Sequence, residues 1–175
     1  MIPLVLALTL NCLVPPVGEP IVAGFVAPEC AFCASHRTID FAGSTGRVVV
    51  APAAGRVTFA GLVAERPFVT IALGPEEQVS PWPVITVGGL SIDPGLATGD
   101  MVRSGQRLGL TNGVVTLSMR YIAAGSAASY RDPAPFLERR RTRVRLVPTD
   151  GSRRRRASVT KSCARPLSVA RASES

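Results

Sequence analysis

The stretch that decides the fold is Arg47-Val-Val-Val-Ala-Pro-Ala-Ala-Gly-Arg-Val-Thr-Phe-Ala60. It contains two short runs rich in Val, separated by the segment Pro52-Ala-Ala-Gly55. Valine and aromatic residues favour β-strands, whereas Pro and Gly favour turns. The stretch therefore predicts a strand, a turn and a partner strand.

The same pattern continues towards the C-terminus, and no long stretch has helical periodicity. Asn112-Gly113 predicts a hairpin turn, and the segment around Pro133 to Glu138 predicts a short helical turn. Short strands at even spacing are typical of antiparallel sandwiches and barrels, so we expect an all-β fold. The further predicted strands are Phe68–Leu73, Val84–Val87, Arg107–Leu110 and Val114–Ile122.

Composition divides the 175 residues into three parts: an apolar segment at 1–14, a body at 15–137 and a basic tail at 138–175. Residues 1–136 contain eight Arg and nine acidic residues, whereas 137–175 contain twelve basic and three acidic residues. The pI of 10.6 therefore describes the tail. The blocky charge and the polar residues between the blocks predict that the tail is disordered.

The apolar segment 1–14 lacks the basic region and the cleavage site of a secretory signal. It is also too short to span a bilayer as a helix. Two interpretations stay open. The segment is either a buried first strand or helix of the body, or an incomplete export signal or membrane anchor.

The tail carries two arginine clusters, which are expected to bind polyanions. It contains no aromatic residue for base stacking, so no specific nucleic-acid partner is predicted. Anionic wall polymers or lipid head groups are the expected partners, and an unselected extension is the alternative. The clusters are Arg139, Arg140, Arg141, Arg153, Arg154, Arg155 and Arg156.

His36 is the only histidine of the chain, and Asp40 follows it at the fourth position. Such a pair can supply a nitrogen and an oxygen to one zinc ion, but a hydrolytic site usually takes three protein ligands. Cys30-Ala-Phe-Cys33 precedes the pair and predicts a disulfide. A redox pair stays an alternative for these cysteines, as does a closed zinc site formed with His36 and Asp40.

Four motifs, in order, resemble those of lysostaphin-type (LytM-like) peptidoglycan endopeptidases. The first is His36-Arg-Thr-Ile-Asp40, and the second, Ala51 to Gly61, is similar to the family's next hairpin. The third is Gly99-Asp-Met-Val-Arg-Ser-Gly-Gln-Arg-Leu-Gly109, which resembles a GDxVxxGQxLG turn. The fourth is Tyr130-Arg-Asp-Pro133, which resembles the closing Tyr-x-Asp-Pro. The resemblance covers the body.

The resemblance implies a small antiparallel β fold around one zinc ion that cuts peptide crosslinks in bacterial cell walls. In that family the metal is held by the His and Asp of the first motif and by the second His of a later His-x-His. Counting back from Arg120, which resembles the family's Arg after that strand, places Val114 and Thr116 at the two histidine positions. Val114 has no polar side-chain atom, and a threonine hydroxyl is a poor zinc ligand.

We therefore expect a degenerate, catalytically inactive domain that acts as a wall-binding or regulatory module. In it, His36 and Asp40 are the remnant of a metal site, and zinc binds weakly or not at all. The expected partners are peptidoglycan or anionic wall polymers, at the cell envelope or outside the cell. Membrane contact through the apolar segment or the tail is a further expectation. The alternative is an active zinc endopeptidase that uses unorthodox ligands.

Overall fold

The protein is described by a computed structural model, which covers residues 12–29, 33–73, 81–123, 125, 128–142 and 159–164. Within these ranges the chain forms β-strands and a 3₁₀ turn at Ala134–Phe136, which confirms the all-β prediction and the short helical turn. The strands are β1 Ile21–Ala23, β2 Ile39–Val50, β3 Gly55–Val63, β4 Arg66–Ala72, β5 Trp82–Ile92, β6 Met101–Val102, β7 Arg107–Ile122, β8 Ser129–Arg131, β9 Arg139–Thr142 and β10 Val159–Ser162.

Eight strands form one antiparallel sheet that does not close into a barrel. The strand order is β1-β2-β7-β5-β4-β3-β6, and β8 pairs with the end of β7. Strand β7 is the longest, with 16 residues, and it pairs with both β2 and β5. The middle strand of this order is β5, and its neighbours are β7 and β4.

One face of the sheet forms the hydrophobic core, and β7 shows how the faces alternate. Val115, Leu117 and Met119 are fully buried, whereas the residues between them are only partly buried. Successive side chains of a strand point to opposite faces, so this alternation defines a core face and a second face. The core face also includes Ile39, Phe41, Val69, Ile71, Ile85 and Val87.

The hairpin turn predicted at Asn112-Gly113 is wrong, because a strand runs through these residues and also through the paired glycines of β5. Asn112-Gly113 lies within β7, and Gly88-Gly89 lies within β5 at a shift in register. A two-residue type I′ turn needs positive φ at both central residues. Gly113 has a φ of 131°, but Asn112 is not among the described residues with positive φ.

The tight hairpin forms elsewhere, between β3 and β4, where Ala64 and Glu65 have φ values of 48° and 64°. The predicted pairing of the strands on either side of Pro52-Ala-Ala-Gly55 is also wrong. β2 pairs with β1 and β7, whereas β3 pairs with β4 and β6. The Pro52 segment therefore connects two strands that are not neighbours.

The end of the apolar N-terminal segment belongs to the folded body. Leu13 is fully buried, and its N–H donates to the Phe136 carbonyl at 2.8 Å. The Glu138 N–H in turn donates to the Leu13 carbonyl at 2.7 Å. These bonds join the start of the body to its end. Among the described residues, no helix has the length and apolar character needed to cross a bilayer.

The start and the tail of the chain are also joined covalently. Cys12 and Cys163 form a disulfide with a Cα–Cα distance of 5.6 Å, a pairing that the sequence did not predict. Two stretches of the tail that the sequence predicts to be disordered, β9 and β10, pair with each other as antiparallel strands. Residues 143–158 and 165–175 lie outside the described part, and disorder there stays a prediction.

Candidate functional site

The second face of the sheet brings together the positions singled out in the sequence. Asp40 in β2 is directly opposite Thr116 in β7, and Gly88 in β5 is opposite Thr116 on the other side. Directly opposed residues of antiparallel strands project from the same face. We call this surface the site face. Its members on β7 are Val114, Thr116, Ser118 and Arg120.

His36 is placed beside this face by a short bridge between two chain segments. The Val26 N–H donates to the His36 carbonyl at 2.8 Å, and the His36 N–H donates to the Val26 carbonyl at 3.2 Å. The imidazole Nδ1 lies 2.7 Å from the Gly24 carbonyl, and Nε2 lies 3.1 Å from Oδ2 of Asp40. The ring is thus held by main chain on one side and directed at the carboxylate on the other.

Thr38 completes a compact polar cluster between His36 and Asp40. Its hydroxyl donates to Oδ1 of Asp40 at 2.8 Å and lies 3.1 Å from Nε2 of His36. The side chains of residues 36, 38 and 40 therefore meet at the start of β2, where the bridge to Val26 and the Gly24 carbonyl also hold His36. The sequence predicted the pair His36 and Asp40 but missed Thr38, which the period-two spacing could have indicated.

The surroundings of His36 raise its pKa above the ordinary value of 6.5. The largest cause is the hydrogen bond to the Gly24 carbonyl, and partial burial acts in the opposite direction. The charge of Asp40 and the hydrogen bond to it raise the pKa further. A protonated imidazole has two N–H donors, one for each of these acceptors, so the cluster stabilises the imidazolium form.

The structure brings together His36 and Asp40, the two side chains that the resemblance predicts as zinc ligands. The 3.1 Å between Nε2 of His36 and Oδ2 of Asp40 is close to the separation of about 3.3 Å between two ligands of one tetrahedral zinc ion. The position opposite Asp40 holds Thr116, whose neutral hydroxyl is a poor ligand. No group of three His, Cys, Asp or Glu in the described ranges is placed to hold a metal. The donor set therefore does not fit a hydrolytic zinc ion.

The predicted cysteine pair and arginine clusters are only partly described. Cys33 is disulfide-bonded, and a disulfide sulfur is not the thiolate that a zinc site needs. Cys30 lies outside the described residues, so the Cys30–Cys33 pairing stays a prediction. Arg139, Arg140 and Arg141 are in β9, whereas Arg153, Arg154, Arg155 and Arg156 lie outside the described residues. Polyanion binding by these arginines also stays a prediction.

A cleft of about 210 Å³, which no sequence pattern indicated, adjoins the site face. Its lining includes Ser118 and Arg120 of β7 and Phe68 of β4, and Phe68 lies beside Gly88, as does Thr116. A Cβ atom added at Gly88 would lie 2.5 Å from the Phe68 ring and 2.7 Å from the Thr116 hydroxyl. The cleft is lined by Phe59, Val63, Phe68, Thr70, Thr86, Ser118, Arg120 and Tyr130.

No family model matches this sequence, and no curated protein matches it. Solved structures do match its fold. The catalytic domain of the antimicrobial peptidase lysostaphin from Staphylococcus simulans is 18% identical with a TM-score of 0.52, over 67% of this chain and 91% of that one. Another structure of that peptidase is 18% identical with a TM-score of 0.55, over 74% of this chain and 55% of that one.

Csd3 from Helicobacter pylori is 20% identical with a TM-score of 0.51, and the match covers 69% of this chain. It spans only 37% of the Csd3 chain. At these identities the likeness concerns the fold. The chain thus has the fold of LytM-type (M23) peptidases, and the resemblance inferred from the four sequence motifs is confirmed at that level.

Proposed function

We propose that this chain is a non-catalytic module that binds peptidoglycan at the cell envelope, on a scaffold shared with lysostaphin-type peptidases. The observation that carries the proposal is the residue opposite Asp40. A threonine hydroxyl occupies the position where a third zinc ligand would be needed, beside a His–Asp pair that is otherwise well placed.

The absence of a third metal ligand and of a proton-transfer group argues against useful turnover. Even outer-shell partners of a metal ligand contribute about 10–100-fold to metal affinity, so a missing direct ligand should cost more. A missing proton-transfer group removes a further factor of about 10²–10⁴ in rate. His36 is the only histidine of the chain, so no second imidazole can take that role.

Binding needs neither a third metal ligand nor a proton-transfer group, and the chain has a surface that suits a ligand. The site face and the adjoining cleft carry hydroxyls, aromatic rings and one guanidinium. The Cys12–Cys163 disulfide is in keeping with an oxidising compartment such as the envelope. The arginine clusters of the tail would add a salt-dependent attraction to anionic wall polymers.

Retention on purified peptidoglycan sacculi tests the proposal. We expect the full chain to sediment with sacculi at low salt and to keep part of this binding at about 0.5 M salt, where exposed charges are strongly screened. A variant with Arg153, Arg154, Arg155 and Arg156 replaced by Gln should lose mainly the salt-sensitive part. Absence of sedimentation at low salt would contradict the proposal. If replacing the four arginines abolishes binding entirely, the tail alone binds the sacculi.

A further inference from the structure

The cleft beside the site face is lined by one arginine, Arg120, that has an unpartnered side-chain N–H. Nε of Arg120 is buried and has no hydrogen-bond partner within the described part of the chain. No carboxylate lines the cleft, and none of the ion pairs between described residues involves Arg120. A buried donor without a partner destabilises the fold by the full cost of its desolvation.

Arg120 faces other groups that suit a small anionic ligand. Ser118, two residues earlier on the same face, also makes no side-chain hydrogen bond with any described residue. Thr70 and Thr86, which line the opposite part of the cleft, bond to each other at 3.0 Å. The cleft is therefore lined by a guanidinium whose Nε has no partner among the described residues, and by a serine hydroxyl that makes no hydrogen bond with another described side chain.

A second guanidinium lies nearby and makes the region more positive. The Arg37 guanidinium carbon lies 5.0 Å from the centre of the Tyr130 ring, within the range of a cation–π contact. Tyr130 lines the cleft and is directly opposite Arg120 in the pairing of β8 with β7. Tyr130 thus contacts Arg37 and is the cross-strand neighbour of Arg120, and two guanidinium groups near one cleft favour an anion over a neutral ligand.

The size and the lining of the cleft further restrict the class of ligand that it can bind. Sites for drug-sized ligands have volumes of about 300–1,000 Å³. At about 210 Å³ this cleft suits one or two small residues. Phe59, Phe68 and Val63 provide apolar walls for small side chains. A guanidinium edge matches a planar carboxylate by two parallel hydrogen bonds, whereas a tetrahedral anion makes no use of the apolar walls.

We propose that this cleft binds the terminal carboxylate of a short peptide with small side chains, and that the Arg120 guanidinium holds the carboxylate. The Ser118 hydroxyl bonds the peptide's amide, and the aromatic rings cover its side chains. This inference rests on the proposed function, because an uncrosslinked wall peptide presents such an end. It specifies which chemical group of the wall the module recognises.

A titration with a matched pair of ligands tests this inference in the full chain. The probe is N-acetyl-alanyl-alanine, and its control is the same dipeptide with a C-terminal amide. We expect the acid to bind at least about 10-fold more tightly than the amide, as one charge-assisted hydrogen bond allows. Equal affinity for the two dipeptides would overturn the inference. Inorganic phosphate binding as tightly as the acid would also overturn it, since the site would then be a simple anion site.

Two variants locate the binding. Arg120→Gln should abolish the preference for the acid, whereas Arg103→Gln, which removes an exposed arginine from the turn after β6, should keep it. Equal losses in both variants would overturn the inference, because they would indicate general electrostatics. A melting curve checks that each variant folds, and the acid–amide comparison in the unaltered chain does not depend on any variant.

Sedimentation with sacculi separates this inference from the function on which it rests. If the unaltered chain binds sacculi and Arg120→Gln binds them equally well, the proposed function stands and the cleft assignment fails. If the chain discriminates acid from amide but does not bind sacculi, the cleft assignment stands and the proposed function fails. We expect sacculus binding that Arg120→Gln weakens by at least about 10-fold.

Discussion

At the scale of single residues, the proposed absence of a hydrolytic zinc site rests first on Thr116, which is opposite Asp40. His36 and Asp40 are arranged by their own segment, through the Gly24 carbonyl and the Thr38 hydroxyl. That arrangement does not depend on Thr116, the residue opposite Asp40. A third ligand has to come from β7, and the register of β2 and β7 places position 116 there.

Thr116→His should therefore create a zinc site. An outer-shell partner of a metal ligand contributes about 10–100-fold to metal affinity. We expect the gain in zinc affinity of the full chain to exceed that range. Competition with a chromogenic chelator measures the gain. Val114→His is the control, because it adds an imidazole to the same face without placing it opposite Asp40, and it should change zinc affinity little. Equal affinities for Thr116→His and the unaltered chain would show that the register is not as described.

The titration of His36 is a second prediction at this scale. Since its pKa is raised above 6.5, its interactions stabilise the fold fully below about pH 6.5, and this contribution is lost as the pH rises through the raised pKa. NMR of the imidazole ring follows the only histidine without ambiguity. Asp40→Asn should lower the pKa of His36, because the charge of Asp40 is removed. The hydrogen bond from His36 to the Gly24 carbonyl is not affected by this change. A pKa below 6.5 in the unaltered chain would contradict the geometry of the cluster.

At the scale of strands, the sequence indicated the fold class and several strands but not their lengths or pairing. Strand-forming residues at Phe68–Leu73 and Val84–Val87 predicted parts of β4 and β5. Asn112-Gly113 was misinterpreted as a hairpin turn because an irregularity in a long strand and a hairpin turn both favour glycine. Only the partner strand decides between them, and a single sequence does not show the partner.

The same limit explains what was predicted of the site. His36 and Asp40 are four residues apart, so sequence spacing alone indicates the pair. The cleft draws on β3, β4, β5, β7 and β8, and Phe68 and Arg120 meet in it only through the strand order. Cys12 and Cys163 are 151 residues apart, and nothing in their spacing predicts the bond.

Gly89 shows the constraint that the bulge in β5 imposes. Its φ is 79°, and a Cβ atom added there would meet the Val114 carbonyl and main chain of β7. Gly89→Ala should lower the free energy of unfolding by at least about 2 kcal/mol, from left-handed strain and the clash together. Urea unfolding measures this. Gly18→Ala, with open space around the added Cβ, should stay within about 1 kcal/mol of the unaltered chain. Similar values for both variants would contradict the bulge.

At the scale of the whole molecule, the two ends of the described chain are held together. Leu13 is hydrogen-bonded between Phe136 and Glu138, and Cys12 is bonded to Cys163 beyond β10. The body is nearly neutral and the tail strongly basic. The disulfide therefore fixes part of a cationic tail to the body that carries the cleft.

Replacing both Cys12 and Cys163 by Ser should lower the free energy of unfolding by about 2–5 kcal/mol, because the bond closes a very long loop in the unfolded chain. Urea unfolding gives the value, and non-reducing peptide mapping should find the two cysteines in one linked peptide. The serine variant is cleaner than chemical reduction, since Cys33 is also disulfide-bonded. An unchanged unfolding midpoint, or recovery of the two cysteines in separate peptides, would contradict the disulfide between Cys12 and Cys163.

The central claim is that one imidazole and one carboxylate, facing a threonine, do not sustain zinc-dependent hydrolysis. The most direct measurement is the release of soluble peptides from purified sacculi by the full chain, with zinc in excess and with a chelator. The account predicts no release above background in either condition. Release that requires zinc, stops with the chelator and is lost in His36→Ala would contradict it.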